Sequence, residues 1–232
     1  MSYPNNPDTV VVKNKFYPNG LREIDVWNHY QKVKVPFLKE TYNRDLMFYI
    51  MVDVNRPIIK RKIDNKFIRL IPKNYDTLIT GRTVSIHSAM KSYEDFSIID
   101  IDVDPSDGFR WAKKATNDVY EYIIDKVPIV RKVTIRYSGK KAFHIVCDFS
   151  RKFKSEAMKH ILINQYLRKS DLAKVYTINE KKAHPGVPNL DLNRNCLRCN
   201  YITLHSLSVW GLKCIEVEYN KLMSFEPMRA RI

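Results

Sequence analysis

The segment Ser97-Ile98-Ile99-Asp100-Ile101-Asp102-Val103-Asp104-Pro105 constrains this chain more than any other stretch. Alternate residues of a strand point to opposite faces. Ile99, Ile101 and Val103 therefore share a face that a core must cover, while Asp100 and Asp102 project together from the other. Neighbouring carboxylates repel, and a cation between them relieves the repulsion. Hard divalent ions such as Mg²⁺ take oxygen ligands of this kind. Alone, the pattern also describes an edge strand with a solvated acidic face. The segments downstream favour the metal-binding reading.

The chain has 232 residues, of which 44% are hydrophobic, enough to bury a core in one large domain. No apolar run approaches the ~20 residues of a spanning helix. The start, Met1-Ser2-Tyr3-Pro4-Asn5-Asn6-Pro7, lacks the apolar stretch of a signal peptide. A cytoplasmic, nucleoid-associated protein with no membrane partner is expected. Lys and Arg number 40 against 25 Asp and Glu, a formal charge of +15. Such an excess favours a polyanionic partner. A basic chain with a local acidic pocket suits an enzyme that grips phosphates and sets metal ions among them.

Periodicity gives a mixed α/β order. Residues 1–20 read as irregular, with three prolines among them. Ile24 to about Tyr42 reads as a helix interrupted near Pro36, and Leu46–Asp53 as a buried strand. Ile58–Ile63 and Lys66–Ile71 read as a hairpin around Asp64-Asn65, carrying Lys60, Arg61, Lys62, Lys66 and Arg69. Thr83–His87 is a further strand. Helical spacing runs from Phe109 to about Lys126 and again over Ser155–Lys169. Val130–Tyr137 and Ala142–Asp148 are β-rich runs, Leu190–Leu192 a short strand and Leu212–Tyr219 a late one. The economical organisation is a single domain over 1–232, with a possible small N-terminal subdomain over 1–80.

Three segments carry chemistry. The first is Asp100 and Asp102, with Asp104 in reserve. The second is Ser138-Gly139-Lys140-Lys141-Ala142-Phe143-His144. Its alternation puts Phe143, Ile145 and Cys147 on one face and Ala142, His144 and Val146 on the other. Its turn offers backbone N–H groups, a hydroxyl and two ammonium groups to a phosphate. The third is Asn189-Leu190-Asp191-Leu192, which sets one carboxylate on the polar face of a strand. Cys147 reads as core. Cys196-x-x-Cys199 is half of a zinc spacing that His184, His205 or Cys214 could complete; buried thiols or a disulfide are the alternatives.

The order Asp-x-Asp, then Ser-Gly-x-x-x-x-His, then a hydrophobic residue before Asp resembles the archaeo-eukaryotic primase superfamily. Upstream, Phe16-Tyr17-Pro18-Asn19-Gly20, Asp25, His29-Tyr30, Arg44-Asp45-Leu46 and Ser85-Ile86-His87 are similar to the polymerase domain of bacterial ligase D, the end-joining ligase. The similarity runs in order over residues ~15–215, and Ser138, Gly139, Lys141 and His144 are its most specific part. The resemblance implies an α/β (α+β mixed) primase-like core with mixed sheets flanked by helices. It also implies template-directed nucleotidyl transfer with two Mg²⁺ or Mn²⁺ ions on Asp100, Asp102 and Asp191. In such two-metal sites the ions stand about 3.5–4 Å apart. Ser138, Gly139, Lys141 and His144 would bind the triphosphate, His87 would lie near the sugar, and Lys60 or Lys62 near the phosphates. The partners implied are a single-stranded DNA template, a primer, nucleoside triphosphates, and a helical accessory primase subunit, helicase or repair factor.

The sequence also departs from that pattern. Ligase D polymerase domains carry arginines after a Tyr-Ser pair, and His205–Trp210 has none; Arg194, Arg198 or Lys213 could take their place. Arg22-Glu23 stands where the ligase family has the threonine-lysine pair that grips DNA ends. The primary expectation is therefore a DNA primase or polymerase making or extending short RNA or DNA primers. The alternatives are a non-catalytic nucleic-acid-binding primase-like subunit, an end-joining repair polymerase and a metal-dependent nuclease.

Overall fold

In this computed structural model the described residues are 6–89, 96–104, 106–140, 142–150, 153, 156–180, 182–192 and 200–232. The chain divides into two compact units. Unit 1 is made of Met1–Ala89, Asn200–Ile215 and Glu226–Ile232, and unit 2 of Met90–Cys199 and Glu216–Phe225. No helix among the described residues is long and apolar enough to cross a membrane.

The chain begins with a hairpin, β1 (Val10–Asn14) and β2 (Tyr17–Arg22), where the sequence reads as irregular. Its turn is made by a side chain: the Asn14 amide oxygen accepts from the backbone N–H groups of Phe16 and Tyr17 at 2.8 and 3.2 Å. Next come α1 (Glu23–Lys32) and α2 (Lys34–Glu40). The expected interruption is real but falls at Val33 rather than at Pro36. Pro36 sits in the first turn of α2, where no intrahelical donor is lost. The Asp25 carboxylate, in the first turn of α1, accepts from the backbone N–H of Arg22 at 3.0 Å and so closes the helix start.

β3 (Leu46–Asp53) forms as expected. β4 (Arg56–Lys60) pairs with it antiparallel, turning at Asn55 with φ +56°. The expected hairpin at Asp64-Asn65 exists only as the short β5 (Lys62–Ile63) and β6 (Lys66–Phe67). Ile58–Lys60 has been taken by β3 instead. Pro57 fits β4 because that strand is the edge of the sheet. A short α3 (Tyr75–Leu78) leads to β7 (Thr83–Ala89). At the turn between them, a Cβ on Gly81 would stand 2.6 Å from the Glu23 carbonyl oxygen, so no larger residue fits.

Unit 2 is built on β8 (Phe96–Asp102), α4 (Phe109–Lys126), β9 (Val130–Tyr137), β10 (Phe143–Phe149) and α5 (Glu156–Lys169). They are followed by β11 (Thr177–Ile178) and β12 (Asn189–Asp191). β13 (Asn200–Ile202) returns to the sheet of unit 1, whose order is β13-β7-β3-β4. β14 (Ile215–Val217), shorter than the expected Leu212–Tyr219, completes a six-stranded sheet of order β11-β12-β8-β10-β9-β14.

One face of that larger sheet is core. Ile99, Ile101, Phe143, Ile145, Cys147 and Leu190 have no exposed surface. Ala112, Ala115, Thr116, Val119 and Ile123 of α4 recur at helical spacing and are buried too. Phe109, Tyr137, Phe143 and Phe225 form an aromatic cluster here, with ring centroids 5.0–6.2 Å apart. Each such pair adds about 0.5–1.5 kcal/mol beyond its area burial. α4 ends before Pro128, which disfavours helical backbone at Val127. The buried Lys113 ammonium donates to the carbonyls of Met223 and Phe225 at 2.8 and 3.3 Å, tying the Glu216–Phe225 segment to the helix.

Candidate active site

The opposite face of the sheet in unit 2 carries the acidic residues. Asp100 on β8 is paired in register with Asp191 on β12 and with His144 on β10; His144 is in turn paired with Arg136 on β9. Directly paired residues point the same way, with Cβ atoms about 4.5–5.5 Å apart. Asp191, Asp100, His144 and Arg136 therefore form one row across four neighbouring strands. Asp102 lies two residues along β8 on the same face, opposite Asn189. Two strand residues advance about 6.7 Å, so Asp102 starts a second row.

The centre of the row is dry. Asp100 is 5% exposed and His144 4%, and His144 Nε2 lies 3.5 Å from Asp100 Oδ1. Asp102 and Asp191 are half-buried. The Arg136 guanidinium pairs with Glu216 on β14 at 3.7 Å, carrying charged groups to the far edge of the sheet.

The strand bearing Asp191 is short and is held by Asn179. That residue adopts φ +59°, a conformation asparagine tolerates better than most. Its side-chain oxygen accepts from Leu192 N–H at 2.7 Å, and its own N–H donates to the Leu190 carbonyl at 3.1 Å. Asn179 and Arg136 are both missed by sequence reasoning. Arg136 was visible in principle, because it alternates with Ser138 on a β-rich run. Nothing local marked Asn179.

The turn after β9 has Gly139 at φ +80°. The Ser138 hydroxyl donates to the Ala142 carbonyl at 2.9 Å, and the Tyr137 hydroxyl to the Lys140 carbonyl at 2.7 Å. The turn is thus braced by its own side chains, leaving the oxygen of Ser138 available only as an acceptor. Lys141 lies outside the described residues, as do Arg194, Cys196, Arg198 and Cys199. Asp104 accepts from the Ser106 N–H and hydroxyl at 2.8 and 2.6 Å, so it stabilises the approach to α4. Cys147 and Cys214 are buried, and burial pushes the Cys147 thiol well up, so it is unreactive.

The remaining candidates belong to unit 1. His87 on β7 has Nε2 3.1 Å from the Ser85 hydroxyl and its ring 4.9 Å from that of Tyr49. Lys60 ends β4. Lys62 on β5 is exposed, with its ammonium 5.0 Å from the centroid of the Phe67 ring.

Asp100, Asp102 and Asp191 share a face, two of them on paired positions, and carboxylate oxygens are the donors that hard divalent ions take. Among the described residues, no three His, Cys, Asp or Glu side chains are gathered closely enough to hold an ion.

No family model matches the sequence, and no curated protein matches it. A solved structure does: the polymerase domain of Mycobacterium tuberculosis ligase D in complex with DNA. The two chains are 12% identical and superpose with a TM-score of 0.77, over 96% of this chain and 88% of that one. This chain has the fold of the ligase D polymerase domain. The mixed α/β architecture expected from the sequence is therefore present.

Proposed function

We propose that this chain is a template-directed nucleotidyltransferase of the primase-polymerase type, which makes or extends short primers on single-stranded DNA. The observation that carries this reading is the row Asp191, Asp100, His144 across three paired strands, on a fold shared with a DNA-bound polymerase domain. Asp100, Asp102 and Asp191 would hold two Mg²⁺ or Mn²⁺ ions. Bound there, such ions polarise the attacking 3′-hydroxyl and neutralise the leaving pyrophosphate.

The protein's own groups would do the rest. The Gly139 turn, with Ser138 and Lys141, cradles phosphate oxygens through backbone N–H groups and charge. His144, fixed beside Asp100, presents its ring to the triphosphate. The resemblance to the ligase D polymerase domain assigns His87 to the sugar and Lys60 or Lys62 to the phosphates. The basic strands β4 to β6, with exposed Ile58, Ile59 and Phe67 between their cations, offer a backbone-tracking and base-stacking surface for the template. Activity would place the protein with the nucleic acid it copies.

The experiment is incubation with single-stranded template, Mn²⁺ or Mg²⁺ and each nucleotide set, with and without primer. Extension that disappears in Asp100→Asn and in Asp191→Asn supports the proposal. Wild-type activity in either variant rejects it. A second reading, a nucleic-acid-binding subunit without synthesis, is favoured by the lack of any arginine between His205 and Trp210. It is the outcome if the purified chain binds DNA with a steep salt dependence yet incorporates nothing. Joining of DNA ends in preference to primer extension would instead assign the repair role.

A further inference from the structure

Unit 1 contains a cavity of about 530 Å³ that the acidic row does not use. It is bounded by β2, one side of α1, Lys213 and the last two residues of the sequence, with Tyr17, His29 and Lys32 in its wall. Its volume is within the range of small-molecule sites, about 300–1,000 Å³.

The charge lining it is lopsided. Lys32, Lys213 and Arg231 all contribute. Asp25 is the side-chain carboxylate among the lining residues, and it is already engaged by Arg22 at 3.1 Å. The Lys213 ammonium is half-buried. Burial and the neighbouring charge of Lys32 both push its pKa down. His29 is kept neutral beside them: its pKa is lowered to about 4 by burial, and its Nε2 lies 2.8 Å from the His205 carbonyl. Arg231 lies over the Tyr17 ring, 4.9 Å from its centroid, which fixes the guanidinium at the rim.

Crowding cations against a half-buried ammonium is unfavourable in the empty protein, and an anion in the cavity reverses the sign. Two ammonium groups and a guanidinium fork suit a multiply charged phosphoryl group, which supplies several acceptor oxygens. We propose that this cavity binds a phosphate-bearing small molecule through Lys32, Lys213 and Arg231. The shared chemistry is a doubly charged phosphoryl group, whether on inorganic pyrophosphate or on a nucleoside monophosphate. The site needs no divalent ion and none of the acidic residues of unit 2.

The test is calorimetric titration of the full chain in EDTA at low salt with pyrophosphate, adenosine monophosphate and adenosine. Both phosphorylated probes should bind and adenosine should not. Tighter binding of pyrophosphate identifies the free anion as the natural class, and tighter binding of the monophosphate identifies the nucleotide. Lys213→Met and Lys32→Gln should each weaken binding at least tenfold, while Lys174→Gln, at an exposed lysine of unit 2, leaves it unchanged. Lys213→Met should melt no lower than the wild type, since it removes a crowded charge. Lys32 is exposed, so its variant tests the site without burdening the fold. Absence of binding by both phosphorylated probes at millimolar concentration, or undiminished binding in both lysine variants, overturns the proposal.

Discussion

His144 Nε2 lies 3.5 Å from Asp100 Oδ1, with both side chains almost wholly removed from water. On the other side of Asp100 stands the paired Asp191. A buried carboxylate between an imidazole and a second carboxylate sits where two like charges raise the energy of the metal-free protein. The first prediction follows from this.

Asp191→Asn should leave the metal-free protein equal in stability or higher by about 0.2–1 kcal/mol, since like charges directly opposite in a sheet are destabilising. Mn²⁺ should raise the melting temperature of the wild type and not that of the variant. Nucleotide incorporation should fall at least about a hundredfold. Thermal melts with and without Mn²⁺, beside a primer-extension assay, check all three; an equal Mn²⁺ shift in both proteins would sink the metal assignment.

The folded protein resists protonating His29, whose pKa falls to about 4 from 6.5. Between those values the unfolded chain binds the proton and the folded one does not, so stability rises with pH in that window. Its contribution is complete above about pH 6.5, declines as the pH drops towards 4 and is fully lost below. The lowered value corresponds to about 3 kcal/mol at most. Urea midpoints at pH 7 and pH 4.5 should differ less in His29→Gln than in the wild type.

Two arginines separate buried from exposed ion pairing. Arg82 holds the carboxylate of Glu23 at 2.7 Å, and the Glu23 side chain is only 5% exposed. Arg22 holds Asp25 and Asp8 in the open. Arg82→Ala strands a buried charge and should cost about 2–4 kcal/mol, whereas Arg22→Ala should cost under about 1 kcal/mol. Denaturant unfolding of the two variants decides it; equal costs would show that water reaches Glu23.

If β4 to β6 track a nucleic-acid backbone, Lys60→Gln and Lys62→Gln should each reduce the slope of log affinity against log salt by about 0.7, the value for one phosphate contact on a single strand. Affinity should fall alike for all template sequences. A variant that weakens binding to one sequence only would indicate base contact instead.

Strict alternation made β8 and β10 legible, because each side of those strands meets one environment. The faces of Ile99 and Asp100, and of Phe143 and His144, are as the pattern implies. α4 was legible to its ends for a similar reason: its buried positions keep one period from Ala112 to Ile123. The failures are non-local or are decided by single side chains. β1 and β2 hang on the Asn14 turn and on the Glu23 N–H reaching the Thr9 carbonyl, neither of which leaves a periodic trace. Ile58–Lys60 had two possible partners, and the long neighbour β3 won over the short β6. Within the site, the resemblance grouped Asp191 with Asp100, but the strand pairing that brings them together left no local trace in the sequence. In that pairing β12 lies antiparallel to β8, some ninety residues away in sequence.

Unit 1 is assembled from three stretches of chain, the last beginning at Glu226, with the whole of unit 2 threaded between them. Lys213 N–H donates to the Ala230 carbonyl, so the stretch beginning at Glu226 is tied to the one before it. β13 supplies one edge of the unit 1 sheet, so the first 89 residues lack that edge strand until Asn200–Ile202 has been made. Shortened versions stopping before Glu226 would leave that half unsealed, and chaperone dependence during synthesis is the expected biological cost.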